Sequence, residues 1–228
     1  MKVKGPRLGI LVVLLLLPAV AILFTRQLRA GNYLLASTYK LVYLTPILYR
    51  RLLDGKTLRR SLFEGFAPEG LGRRAPVLLW LGAGLAAVYV LAFLVEGSNA
   101  DAVREHLSRA AGITATNIVA VSVYIVVANS LLEEFFWRGF LYKELRALTA
   151  PWVAHACTGM AFSLHHIMYY HAWLGLASAA AATAGLVAFA VLMNVLFQRT
   201  QDLTSVWLVH GVADLGQLVV ALYVFGVM

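Results

Sequence analysis

The sequence predicts an all-α, polytopic transmembrane helix bundle of about seven spans, with six to eight as the range. Three observations carry that prediction. Of the 228 residues, 61% are hydrophobic and 13% charged, where a soluble domain of this size has about 25% charged. The mean hydropathy is +0.78. The apolar residues also come in continuous runs of helix-spanning length, without the alternation in short strands that a transmembrane barrel needs. The chain is expected to form one integral membrane domain over residues 1–228.

Spanning segments fall at roughly 8–25, 33–49, 76–95, 113–140, 151–170, 173–197 and 204–228. The first, in "MKVKGPRLGILVVLLLLPAVAILFTRQLRA", has the basic start of a secretory leader. Its apolar part runs for about 17 residues, longer than a usual h-region, and Arg26 and Arg29 follow it, so a retained helix is expected. The second is the least regular, because "NYLLASTYKLVYLTPILYRR" contains Lys40 and reads as partly amphipathic. No repeat, low-complexity tract or soluble domain stands out, and the motif-bearing core is placed at about 113–228.

The formal charge of +8 invites a nucleic-acid reading, but 13 of the 19 Lys and Arg residues lie before residue 75, mostly beside apolar runs. That is the positive-inside pattern of loops facing anionic lipid, so the bilayer is the expected partner and nucleic acid is not. Lys2, Lys4 and Arg7 make the start basic, and Arg50, Arg51, Lys56, Arg59, Arg60, Arg73 and Arg74 do the same for the 50–75 loop. Lys143, Arg146 and Arg199 fall on the side of that loop. A cytoplasmic N-terminus with seven spans satisfies all of these except the short Arg26/Arg29 turn. The Ala-, Leu- and Arg-rich composition and short loops point to a bacterial inner membrane. Cys157 can form no intrachain disulfide and reads as a small core residue.

Inside spans, ionisable side chains are costly and mark pairing or function. Here they are Glu133, Glu134, Arg138, His155, His165, His166, His210 and Asp214, with Asn129, Asn194 and Gln217 as neutral companions. In "NSLLEEFFWRGF", Glu134 and Arg138 are i and i+4, on one helical face, with the acid N-terminal as an ion pair prefers. Glu133 is rotated about 100° away and has no basic neighbour at helical spacing, although Asn129 lies one turn behind it. Two readings of this stretch remain open: a polar interhelical contact, or a pair in which Glu133 is free to serve as a general base.

Two further spacings matter. In "HGVAD", His210 and Asp214 are i and i+4, so the carboxyl can reach the imidazole and orient it, with Gln217 continuing the face. In "FSLHH", Phe162 and His166 stand at the same spacing. Three helices thus contribute polar patches to what can be one buried site. No Cys–His dyad, Ser/His/Asp pattern, HExxH or paired aspartates accompany them, which leaves acid and imidazole acting on water.

These stretches resemble, in order, the EExxxR, FxxxH and HxxxN/D motifs of the CAAX-protease and bacteriocin-processing (CPBP, or Abi) family, through "EEFFWRG", "FSLHH" and "HGVAD". The lead-in "TQDLTSVWLVH" is also similar. Family members are glutamic-type intramembrane endopeptidases, so the resemblance implies that Glu133, assisted by His166, activates water. It further implies that His210 and Asp214 stabilise the oxyanion, with Glu134, Arg138, Phe162 and Asn129 in support. Many members have Asn at the last position; Asp214 can donate only if protonated and otherwise orients His210. The implied substrate is a membrane-anchored or lipidated protein or peptide, cut near its C-terminus, and no cofactor is expected.

Two other readings are carried forward: a metal-dependent hydrolase using His166, His210 and a carboxylate, and a non-enzymatic immunity or scaffold protein. One geometric tension accompanies them all. His166 lies ~22 Å along its span if that starts at Pro151, and His210 only ~9 Å into the last. A tilted or recessed fifth helix is expected to reconcile the two.

Overall fold

A computed structural model describes residues 4–27, 33, 37–97, 100–170 and 174–227. Lys2 and Arg29, and the side chains of Lys4 and Arg26, lie outside the described residues. Nine helices run through the rest. They are α1 (Lys4–Gln27), α2 (Thr45–Leu52), α3 (Leu58–Phe63), α4 (Leu71–Glu96) and α5 (Ala100–Ala111). The others are α6 (Ile118–Leu148), α7 (Pro151–Tyr170), α8 (Leu176–Thr200) and α9 (Leu203–Val224).

Among the described residues, five helices are long and apolar enough to cross a membrane: α1 over Pro6–Phe24, then α4, α6, α8 and α9. That is two fewer than the seven segments expected, for two separate reasons. Of the 33–49 stretch, residues 34–36 lie outside the described residues, and residues 37–49 do not form one spanning helix; a 3₁₀ turn at Thr38–Leu44 runs into the short α2, which has Pro46 near its N-terminus. α7 does form over 20 residues, but His155, His165 and His166 lower its hydropathy.

Each spanning helix divides its surface between protein and lipid. On α1, Leu11, Leu14, Leu15, Ala19 and Ile22 are buried at helical spacing while Val12, Val13, Leu16 and Val20 are exposed. α4 packs mainly on α9 through close backbone contact. A Cβ added at Gly216 would stand 2.6 Å from the Ala86 carbonyl oxygen, and one at Gly82 would stand 2.7 Å from Val212. Backbone cannot yield as a side chain can, so Gly216→Val is expected to destabilise the chain by about 1–3 kcal/mol. A lowered thermal unfolding midpoint in detergent would show it; an unchanged midpoint would mean that the two helices are not locked at this crossing.

The basic 50–75 stretch folds against one end of the bundle. Arg50 is buried and donates to the Ser61 and Gly139 carbonyls, while Glu64 accepts from Lys56 and Lys143, each at 2.7 Å. Lys143 therefore does lie at the same end as this stretch, as the distribution of charge suggested. Burial pushes the Glu64 carboxyl up, but the hydrogen bonds from Lys143 and Lys56 outweigh it and hold the group down at about 2. A carboxyl lowered in the folded state stabilises the fold above its ordinary value of about 4.3, and that contribution is lost as pH falls toward 2. Thermal midpoints should therefore drop between about pH 4 and 2, and Glu64→Gln should flatten that drop.

The turn before α9 is tied to the same stretch. Asp202 caps α9 by accepting from the Thr204 and Ser205 amides, and it also accepts from the Ala67 amide at 3.0 Å and faces Arg74 at 3.5 Å. The Leu203 amide donates to the Gly65 carbonyl, and the Leu203 side chain lies under Gly139. Gly139 is nine residues from the Leu148 end of α6, so α9 begins ~13 Å inside the bundle.

Candidate active site

The two glutamates sit between two stretches of wide, π-helical winding in α6, Ile125–Asn129 and Trp137–Tyr142. Such winding withdraws carbonyls from the regular helical ladder and is frequent at functional sites. Here side chains take them up: Ser130 bonds the Val126 carbonyl, Trp207 the Val127 carbonyl, and Arg50 the Gly139 carbonyl. A Cβ on Gly211 would meet the Val126 oxygen at 2.7 Å, so glycine lets α9 come against this bulge and places His210 beside the glutamates.

Glu134 and Arg138 form the expected ion pair, at 2.8 Å, with both side chains at 1% exposure or less. Arg138 also donates to the Ala190 carbonyl at 3.2 Å, and its guanidinium lies 4.8 Å from the centre of the Phe162 ring. Glu133 turns elsewhere. Its Oε1 accepts from Asn129 Nδ2 at 2.9 Å, while its buried Oε2 has no hydrogen bond among the described residues.

His166 and His210 both converge on that oxygen. His166 Nε2 is 3.8 Å and His210 Nε2 4.0 Å from Glu133 Oε2. His166 Nδ1 donates to the Phe162 carbonyl at 3.0 Å, since a carbonyl can only accept. His210 Nδ1 pairs with Glu134 Oε1 at 2.6 Å. Each ring is thus anchored through Nδ1 and presents Nε2 to Glu133. The Phe162 ring packs beside His166, centroids 4.4 Å apart, as the spacing suggested.

Two expectations are corrected. Glu134, not Asp214, orients His210: the Asp214 carboxylate stays 3.8 Å from Nε2 and instead accepts from Gln217 at 2.7 Å. The depth mismatch is also resolved differently. α7 is not recessed; α9 is, and the ~13 Å offset at Leu203 brings His210 level with His166.

One residue near Glu133 had no assigned task from its spacing. His165 Nε2 lies 3.9 Å from Glu133 Oε1, with its ring stacked on Trp137 at 5.4 Å and edge-on to Tyr43. Only the doubled histidine of "FSLHH" hinted at it. Among the described residues, Glu133, His165 and His166 offer ligand atoms within 4.8 Å of one another and form a grouping able to hold a metal ion, where the expected set had His210 in place of His165. His155 and Asn194 lie away from Glu133, bonded to Tyr142 and Thr158 respectively.

Residues 115–216, which contain all three motifs, match the family model for type II CAAX prenyl endopeptidases, Rce1-like. Over that segment, a little under half of the chain, the sequence is similar to the CAAX-protease family. No curated protein and no solved structure matches it. The Rce1-like segment spans all of α6 through the first two-thirds of α9, so every side chain that surrounds Glu133 from α6, α7 and α9 lies within it. Together with the five apolar helices, the match supports an integral membrane protein.

Proposed function

We propose that the chain is a glutamic-type intramembrane endopeptidase that hydrolyses a peptide bond near the C-terminus of a membrane-anchored or lipidated protein. One observation carries the reading: an uncommitted oxygen of a buried carboxylate faces the Nε2 atoms of two anchored imidazoles from different helices. Separations near 4 Å are too long for direct hydrogen bonds and fit a bridging water or a reacting atom. Glu133, with His166, would take a proton from water as it attacks the scissile carbonyl. His210, held by Glu134, would donate from Nε2 to the developing oxyanion. Asp214, 3.8 Å from that same Nε2, would line the oxyanion position from the α9 side. Glu134, Arg138, Phe162 and Asn129 would hold these groups in place.

The basic end of the bundle is read as cytoplasmic and the host membrane as a bacterial inner membrane. The grouping of Glu133, His165 and His166 supports metal-dependent hydrolysis as a second reading. Comparing membrane-protein C-termini in cells carrying the wild type, Glu133→Gln or His210→Ala tests the protease reading. Shortened C-termini should appear only with the wild type; cleavage retained by either variant overturns the assignment. Activity that survives exhaustive chelation excludes the metal route.

A further inference from the structure

Glu133 has an imidazole against each of its oxygens, and activating water at Oε2 uses only His166. His165 faces Oε1 from 3.9 Å and is 1% exposed. Its ring is fixed on several sides. It stacks on Trp137, centroids 5.4 Å apart and planes 20° from parallel, and meets Phe162 and Tyr43 edge-on at 5.2 and 6.2 Å. The His166 ring lies only 3.9 Å away. The two rings differ at Nδ1. That of His166 reaches the carbonyl one turn behind it, at Phe162, whereas that of His165 is buried with no hydrogen bond among the described residues.

A neutral imidazole carries one N–H. Placed on His165 Nδ1, it would be a buried donor without an acceptor, and the bare Nε2 would turn its lone pair toward a carboxylate. Both arrangements are unfavourable. Placed on Nε2, the same proton points to Glu133 Oε1, which already accepts from Asn129. His166 needs its proton on Nδ1 to reach the Phe162 carbonyl, so it turns a lone pair toward Oε2.

We infer that these adjacent histidines hold opposite tautomers, and that His165 is a positioning residue that keeps Glu133 Oε1 an acceptor and leaves Oε2 to take the proton of water. The role in cleavage rests on the reading of Glu133 as a base; the tautomers do not. At 3.9 Å the His165 N–H faces the carboxylate as a dipole rather than as a short hydrogen bond, and the surrounding rings screen that attraction little. On the other side, Oε2 and His166 Nε2 stand 3.8 Å apart and both accept. A water between them donates one hydrogen to each and turns a lone pair outward. The same tautomer bears on the metal reading: a ring that binds an ion through Nε2 anchors its N–H at Nδ1, and His165 has no acceptor there.

Ring nitrogen-15 shifts of the full chain in lipid nanodiscs test the tautomers directly. His165 should carry its proton on Nε2 with Nδ1 bare, and His166 the reverse. A proton on His165 Nδ1 overturns the inference without any variant needing to fold. The role is read with a pool of N-palmitoylated decapeptides randomised in their C-terminal half. His165→Phe keeps a ring against Trp137 and loses the N–H, so single-turnover cleavage should slow about 10- to 100-fold. Binding should not change: the Glu133→Gln/His165→Phe double variant should retain the pool as Glu133→Gln does. His165→Gln, whose amide restores an N–H, should recover part of the rate. Undiminished cleavage by His165→Phe, or a Gln variant no faster than the Phe one, overturns the positioning role. Opposite tautomers without any cleavage by the wild type would instead overturn the peptidase reading and leave the tautomers standing.

Discussion

Glu133→Gln is expected to lower the rate of peptide cleavage by about 10²–10⁴-fold while leaving the unfolding midpoint unchanged or raised. The substitution keeps the shape of the side chain and its Oε1 acceptor, so the 2.9 Å bond from Asn129 can persist. What it removes is a buried negative charge whose second oxygen has no protein partner. Relieving such a charge favours the fold, whereas an amide cannot accept a proton from water. Activity and stability should thus move in opposite directions, as they do where a site is held in a costly state for its chemistry. Single-turnover cleavage and thermal scans on one preparation read both. A midpoint several degrees lower would make Glu133 a packing residue, and unchanged cleavage would remove it from the reaction.

Arg138→Leu should have the largest effect on stability, about 3–5 kcal/mol. It breaks an ion pair that is almost wholly buried, along with the bond to the Ala190 carbonyl. Glu134 then remains in the interior with His210 Nδ1 beside it at 2.6 Å. If the loss comes from that stranded carboxylate, the double variant Glu134→Leu/Arg138→Leu should recover much of it, because a buried pair is often replaceable by well-packed apolar residues. The recovered protein should still be inactive, since nothing would hold His210 Nδ1. Unfolding in detergent checks the first claim and cleavage the second. A double variant no more stable than the single one would show that Arg138 acts mainly through Ala190 and the Phe162 ring.

Contacts within one helix were mostly readable from the sequence, although His210 and Asp214, at the same spacing, stay 3.8 Å apart without a hydrogen bond. Glu134–Arg138, Asn129–Glu133 and Phe162–His166 all follow from a four-residue spacing, and the structure makes each of them. Contacts between helices were not, because they depend on how far one helix is shifted along another. Glu134 and His210 are 76 residues apart, and their bond exists because Asp202 and Leu203 are tied to the 65–67 backbone, which sets where α9 begins. His165 carries no role from its spacing, because neighbouring helical residues point about 100° apart. Both rings nevertheless reach Glu133, one against each carboxylate oxygen. The 33–49 stretch was hydrophobic enough to pass for a span, but hydropathy does not register that Lys40 is directed inward among tyrosines.

A hydrolase in a bilayer has two reactants to bring in, and only the peptide arrives through lipid. Measured down α6, Glu133 lies ~22 Å from the Leu148 end, most of the way through a hydrocarbon layer about 30 Å thick. The late start of α9 changes that distance for water. Above Leu203 stand the carboxylate of Asp202, the guanidinium of Arg74 and the 65–67 backbone, where another turn of apolar helix would otherwise be. From Leu203 down to His210 the remaining apolar path is ~10 Å. On the proposed reading, water reaching Glu133 from the basic end would have about 10 Å of apolar depth to cross below Leu203, against ~22 Å measured from the end of α6.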